Sequence, residues 1–139
     1  MTTRTLTLKA FGLSAVIALA SAIGAPGFAL AQDADLEGAW TGAGRVVLPS
    51  GASERATCRV NFRRQSQTSF RVSAVCATAS TRVAQTAVVQ RVSGNQFSGS
   101  FYNQEFDVSG RIRMTARGAN RLSVSLDGGG ASSEIELRR

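Results

Sequence analysis

The chain has no histidine, and its lysine is confined to Lys9. Without histidine there is no Ser-His-Asp or Cys-His arrangement. Zinc and copper sites of the usual imidazole kind are excluded as well. No G-x-x-x-x-G-K-[ST] loop is present, nor a G-x-G-x-x-G that opens a helix. The nine acids sit mostly at chain ends and strand ends, as with Glu105, Asp107, Glu134 and Glu136. A convergent carboxylate pair of the glycosidase kind is therefore not expected. These absences together predict a protein that is not an enzyme and that holds no cofactor or metal. Tyrosine and tryptophan occur once each. With nearly all Phe on inward positions, the outer surface has no aromatic platform for stacking bases, and specific nucleic-acid binding is not expected.

What is present begins with an export pattern. Arg4 and Lys9 precede an apolar run from Ala10 to about Ile23, and Gly24, Pro26 and Gly27 then break it. The small-residue triplet Ala29-Leu30-Ala31 follows. This order of basic, apolar and A-x-A segments is that of a secretory signal peptide. It predicts cleavage between Ala31 and Gln32, a periplasmic or secreted product, and no membrane span after cleavage. Residues 32–37 then form an N-terminal arm and residues 38–139 one domain. Every basic residue of that product is Arg, and loss of Arg4 and Lys9 lowers the net charge from +7 to +5.

The only cysteines are Cys58 and Cys76. In an oxidising compartment such a pair predicts a disulfide. A loop this short is worth about 3 kcal/mol in the chain-entropy description.

Past Gln32 the hydrophobic pattern has period two, in short segments bounded by turn residues. The segments are about 39–48, 55–63, 69–78, 82–92, 96–102, 105–116, 121–126 and 132–138. In the second, Cys58, Val60 and Phe62 share one face; in the third, Phe70, Val72, Ala74 and Cys76 do. If Cys58 lies opposite Cys76 in a hairpin, Val60 meets Ala74 and Phe62 meets Val72, so inward residues meet inward residues. A two-residue turn at Asn103-Gln104 would pair Phe101 with Phe106 on the same principle. In the fourth segment Val83, Ala87 and Val89 are the apolar candidates. The pattern predicts an all-β, eight-stranded antiparallel up-and-down barrel in which closure satisfies every edge. A two-sheet β-sandwich is the alternative. The inward Gly99 and Gly110 suit tight strand bends.

Leu36-Glu37-Gly38-Ala39-Trp40 resembles the G-x-W opening of lipocalin-type barrels, the calycin group. That resemblance implies a Trp at the base of the first strand covered by an Arg from near the last. By parity with Ile135 and Leu137 the Arg is Arg139, with Arg138 as second choice. The chain is also similar to an uncharacterised family of small exported alphaproteobacterial proteins. The similarity is carried by Gly38-Ala39-Trp40-Thr41-Gly42, Ala56-Thr57-Cys58-Arg59, Cys76-Ala77-Thr78-Ala79-Ser80 and Phe97-Ser98-Gly99-Ser100-Phe101. A looser resemblance, through Leu36, Gly38 and Trp40, is to small periplasmic inhibitors of secreted metalloproteases. It implies that the arm from Gln32 to Asp35 enters a protease cleft.

Three functions follow as expectations. The first is a binding or inhibitor module with a protein partner. The second is a carrier of a small hydrophobic ligand, with Trp40, Phe62, Phe70, Phe97, Phe101 and Phe106 lining or filling the barrel. The third is a basic envelope protein that contacts anionic polymers. For the third, Arg59, Arg63, Arg71, Arg111 and Arg113 would form an anion-binding face. Arg63 and Arg71 would then face each other across two strands, an unfavourable pairing of like charges.

Overall fold

Alternating short strands with inward apolar residues must pair edge to edge, and in this chain the pairing closes on itself. The structure, a computed structural model, describes residues 24–27 and 33–139. The eight strands are β1 (Gly38–Val47), β2 (Ser53–Arg64), β3 (Ser69–Ala77), β4 (Arg82–Ser93), β5 (Gln96–Asn103), β6 (Val108–Ala116), β7 (Arg121–Gly128) and β8 (Ala131–Arg138). Each pairs antiparallel with the next, and β1 pairs with β8. That last ladder removes the two free edges a sandwich would have kept. Among the described residues there is no helix. The expected cleavage point at Ala31 and Gln32 lies outside the described residues.

The β2–β3 hairpin has the register expected from its apolar face: Cys58 opposite Cys76, Val60 opposite Ala74, and Phe62 opposite Val72. The β5–β6 connection differs from expectation. Phe101 pairs with Gly110, not Phe106, and Asn103 pairs with Val108. Four residues, Gln104–Asp107, make the turn, with Asp107 in the left-handed region at φ 50°. Asp is one of the few side chains that tolerate this conformation. Phe106, expected inside, is 48% exposed at the rim. Phe101 still faces a small inward residue: a Cβ on Gly110 would lie 2.4 Å from Phe101 Cζ. The aromatic ring thus fills the space that the glycine leaves. Glu134 and Glu136, expected near strand ends, lie well inside β8, paired with Arg45 and Ala43 of β1.

The barrel has two unlike ends. The end carrying the β2–β3, β4–β5 and β6–β7 turns is solid. Trp40, Phe62, Phe70, Phe97, Leu36 and Leu122 are fully buried there. Trp40 and Phe62 meet edge to face at 6.2 Å, as do Phe70 and Phe97 at 5.7 Å. Each such side chain contributes about 1.5–3 kcal/mol by burial, with a further increment from the edge-to-face geometry.

The N-terminal arm seals this end. Gly38, at φ 118°, turns the chain out of the arm and into β1. Leu36 plugs the floor, and its carbonyl accepts from Trp40 Nε1 at 2.8 Å. Arg91 Nη2 donates to Ala34 O at 2.7 Å, and Ala34 N donates to Gly94 O at 2.9 Å. Arg64 lies over the Phe70 ring and bridges Asp35 at 2.8 Å. Residues 34 and 35, expected in the arm that would enter a protease cleft, are instead strapped to the barrel by these bonds.

Candidate functional site

The other half of the barrel is where the inward residues become small. Ala56, Ala74 and Ala87 occupy positions that at the solid end are held by large side chains. Packing to interior density is not reached there. The result is a cavity of about 400 Å³ that opens between the β1–β2, β3–β4, β5–β6 and β7–β8 turns. This is within the size range of ordinary ligand pockets.

Its walls are mainly apolar, with the hydroxyls of Thr78, Thr81, Ser132 and Ser133 among them. Val60, Val72, Ile112, Met114, Val124 and Ile135 form the deep part, and Phe101 one side. Leu48, Pro49 and Phe106 stand at the rim. Phe106 is exposed there, as the position of its turn dictates. Of the six aromatics expected to line or fill the barrel, four fill the solid end, while Phe101 and Phe106 border the cavity. Among the described residues, no Arg, Lys, Asp or Glu lines it.

Two inward side chains carry polar amides. Gln85 sits on β4 between Val83 and Ala87 on the same parity, directly opposite Ala74. Asn103, at the end of β5, is 6% exposed. Phe106 N donates to Asn103 Oδ1 at 3.0 Å, and Asn103 Nδ2 donates at 3.4 Å to both Ala84 O and Gln85 Oε1. Gln85 Nε2 is buried and has no partner among the described residues. Sequence reasoning missed both residues. The signal for Gln85 was its inward parity within an apolar run. Asn103 was hidden because it was expected in a two-residue turn.

Cys58 and Cys76 are joined by a disulfide and form part of the cavity wall. At the opposite end, the Arg139 guanidinium lies 4.4 Å from the Trp40 ring centroid. Arg139 also donates to Ala119 O, Glu37 O and Asp35 O at 3.0, 2.7 and 2.9 Å. Arg138 instead pairs across the sheet with Thr41 and Arg121.

The five arginines expected to form one anion-binding face do not share a face. Arg59 and Arg63 lie on β2 and Arg71 on β3, with Arg63 directly opposite Arg71. Arg111 and Arg113 lie on β6, which the ring order puts diametrically across the barrel from β2. Closure, which an open sheet would not impose, separates the two groups. Arg71 is further engaged by the Gln65 amide oxygen at 3.2 Å, in the orientation that satisfies the amide.

Two groups at the rim titrate away from their ordinary values. The Glu54 carboxyl is lowered by hydrogen bonds from Thr78 and Ser80, with Ser80 Oγ donating at 2.8 Å. Tyr102 is raised because its hydroxyl donates to Asp107, at 2.8 Å, in a bond that ionisation would destroy.

No family model and no curated protein matches the chain. Among solved structures it is similar to redesigned β-barrels. One, mFAP1 bound to DFHBI, has a TM-score of 0.64 at 10% identity over 75% of this chain and 94% of that one. A second, mFAP0 bound to DFHBI, has a TM-score of 0.64 at 11% identity over 75% of this chain and 98% of that one. A third, b11L5F_LGL, has a TM-score of 0.59 at 12% identity, covering 75% and 90%. At these identities the likeness is one of fold: a closed eight-stranded antiparallel β-barrel, of a kind that in the two DFHBI-bound proteins accommodates a small ligand.

Proposed function

We propose that this chain is a non-enzymatic carrier of a small, mainly apolar molecule held in the open half of its barrel. The observation that carries the reading is the cavity of about 400 Å³ with mainly apolar walls and a mouth between four turns. A barrel evolved only for stability gains by filling such a space, because unfilled apolar volume costs packing energy. Similar barrels bound to DFHBI support the capacity of the architecture for small ligands.

A projecting inhibitory arm receives no support from residues 34 and 35, which are tied to the solid end. The export pattern at residues 1–31 supports a carrier that works in the periplasm or outside the cell. Its test is the N-terminus of the product recovered from that compartment, expected at Gln32.

At about 30 Å³ per non-hydrogen atom, the cavity suits a molecule of about a dozen such atoms. A micromolar Kd, about −8 kcal/mol, would then need about 0.7 kcal/mol per atom, within the ceiling for small ligands. The experiment is a titration with neutral ten- to twelve-carbon probes, followed by amide chemical shifts. Saturable shifts confined to residues such as Val72, Phe101 and Met114 are expected. No saturable shift at the cavity would end this reading.

A further inference from the structure

Resting on the carrier reading, we propose that the cavity selects an uncharged molecule bearing a hydrogen-bond acceptor, and that Gln85 Nε2 is the group that receives it. Three amides have their orientations locked in series. The backbone N–H of Phe106 donates to Asn103 Oδ1 at 3.0 Å, which fixes which end of the Asn103 amide is oxygen. Asn103 Nδ2 must then face Ala84 O and Gln85 Oε1, both at 3.4 Å. Gln85 Oε1 is thereby used as an acceptor, and Nε2 is turned away from it. That nitrogen is buried and, among the described residues, unpaired, in a residue that lines the cavity.

A buried N–H left unpaired is unfavourable, and native structures rarely keep one without a purpose. The surrounding wall is mainly apolar, with the Thr78, Thr81, Ser132 and Ser133 hydroxyls also bordering the cavity. Gln85 Nε2 is the buried side-chain polar atom that the described residues leave unpaired, and a bound oxygen reaches it when the Gln85 side chain turns into the cavity. It prefers a carbonyl, ester or ether oxygen. A carboxylate is disfavoured, because no Arg or Lys among the described residues lines the cavity and a buried anion without a counter-charge loses its hydration uncompensated. A plain hydrocarbon fits the walls but leaves Nε2 unpaired. The substrate class is therefore a neutral, mostly apolar molecule with one acceptor placed near the β4–β5 wall.

Three probes of nearly equal shape separate these cases: decan-2-one, 2-methyldec-1-ene and decanoate, each titrated into the purified chain. Decan-2-one is expected to bind about tenfold more tightly than the alkene, the factor that one net hydrogen bond supplies. Decanoate is expected to be the weakest. On ketone binding the Gln85 side-chain amide resonance is expected to move, and with the alkene it is not. Gln85→Leu is expected to bring ketone and alkene to equal affinity. Gln85→Met, of similar length and with no N–H to donate, is likewise expected to bind the ketone no more tightly than the alkene. If either variant fails to fold, the native comparison and the Gln85 resonance still decide the matter. Equal affinities for ketone and alkene, or a ketone preference with an unmoved Gln85 resonance, overturn this inference and leave the carrier reading standing. Tightest binding by decanoate overturns it in favour of an anion site. Failure of all three probes to bind overturns the carrier reading itself.

Discussion

The Arg139 guanidinium covers the Trp40 ring at 4.4 Å and at the same time holds three backbone carbonyls, those of Asp35, Glu37 and Ala119. One side chain at the C-terminus thus ties the N-terminal arm, the first strand and the β6–β7 turn to one another. Arg can do this because its planar fork stacks on a ring and donates in several directions at once. Arg139→Ala is expected to lower stability by about 1–3 kcal/mol, from a lost cation–π contact and lost hydrogen bonds to a charged donor. Arg139→Lys is expected to recover only a minor part. Urea denaturation of the three proteins checks this; equal midpoints for Arg139→Ala and the native chain would show the tie to be energetically idle.

The Cys58–Cys76 bond closes a sequence separation of 18 residues between adjacent strands. Its removal by the double change Cys58→Ala, Cys76→Ala is expected to cost about 3 kcal/mol, mostly through the freed unfolded chain. For a domain of this size that corresponds to a fall in Tm of roughly 10–20 °C. Both residues border the cavity, so a native chain with bound ligand is expected to be reduced more slowly by dithiothreitol than the empty protein. Thermal melts and timed thiol labelling provide the measurements.

Much of this barrel is legible in the sequence because inward and outward residues alternate cleanly. The match of Cys58, Val60 and Phe62 with Cys76, Ala74 and Val72 determines one hairpin from the apolar pattern alone, since a one-residue slip would turn every side chain outward. The Trp40–Arg139 pairing is legible by parity together with the G-x-W resemblance. The β5–β6 turn is not, because Phe101 opposite Phe106 and Phe101 opposite Gly110 both satisfy inward-to-inward pairing. A shift of four in register preserves the face. Nor can parity say that Arg59 and Arg113 lie on opposite sides, since outward-facing gives no angle around the ring. The cavity is hidden for a related reason: alternation tells which residues point in, while the volume left among them depends on how Ala56, Ala74 and Ala87 line up around the barrel.

The rim responds to pH in two directions. Glu54 has a lowered carboxyl because Thr78 and Ser80 bond to its ionised form. A group whose folded value is depressed contributes stability above its unfolded value and loses it as the pH falls through the folded one. The link between the β1–β2 end of β2 and the β3–β4 turn is therefore expected to loosen on acidification below the ordinary carboxylate range, and Glu54→Gln to show that loosening at neutral pH. Tyr102 is raised by Asp107, so its contribution is present below the ordinary phenol value and lost as alkaline pH passes the folded one. Hydrogen exchange at Ser80 and at Asp107, followed against pH, reads both.

The sharpest test of what the cavity is for is to fill it. Ala74 and Ala87 face inward on β3 and β4 and border the open space. Ala87→Leu adds three buried carbons, worth up to about 2 kcal/mol at roughly 0.8 per methylene, against about 0.5–1 kcal/mol of lost side-chain freedom. The variant is therefore expected to be more stable by about 1 kcal/mol and to lose binding of ten-carbon probes. Ala74→Leu, directly opposite Gln85, is expected to do the same and also to cover the free amide. A stability gain coupled to loss of binding is the signature of a space kept open for function against the interest of the fold. Retention of probe affinity by both variants would mean that the probes bind elsewhere, and the cavity would then be only a defect in packing.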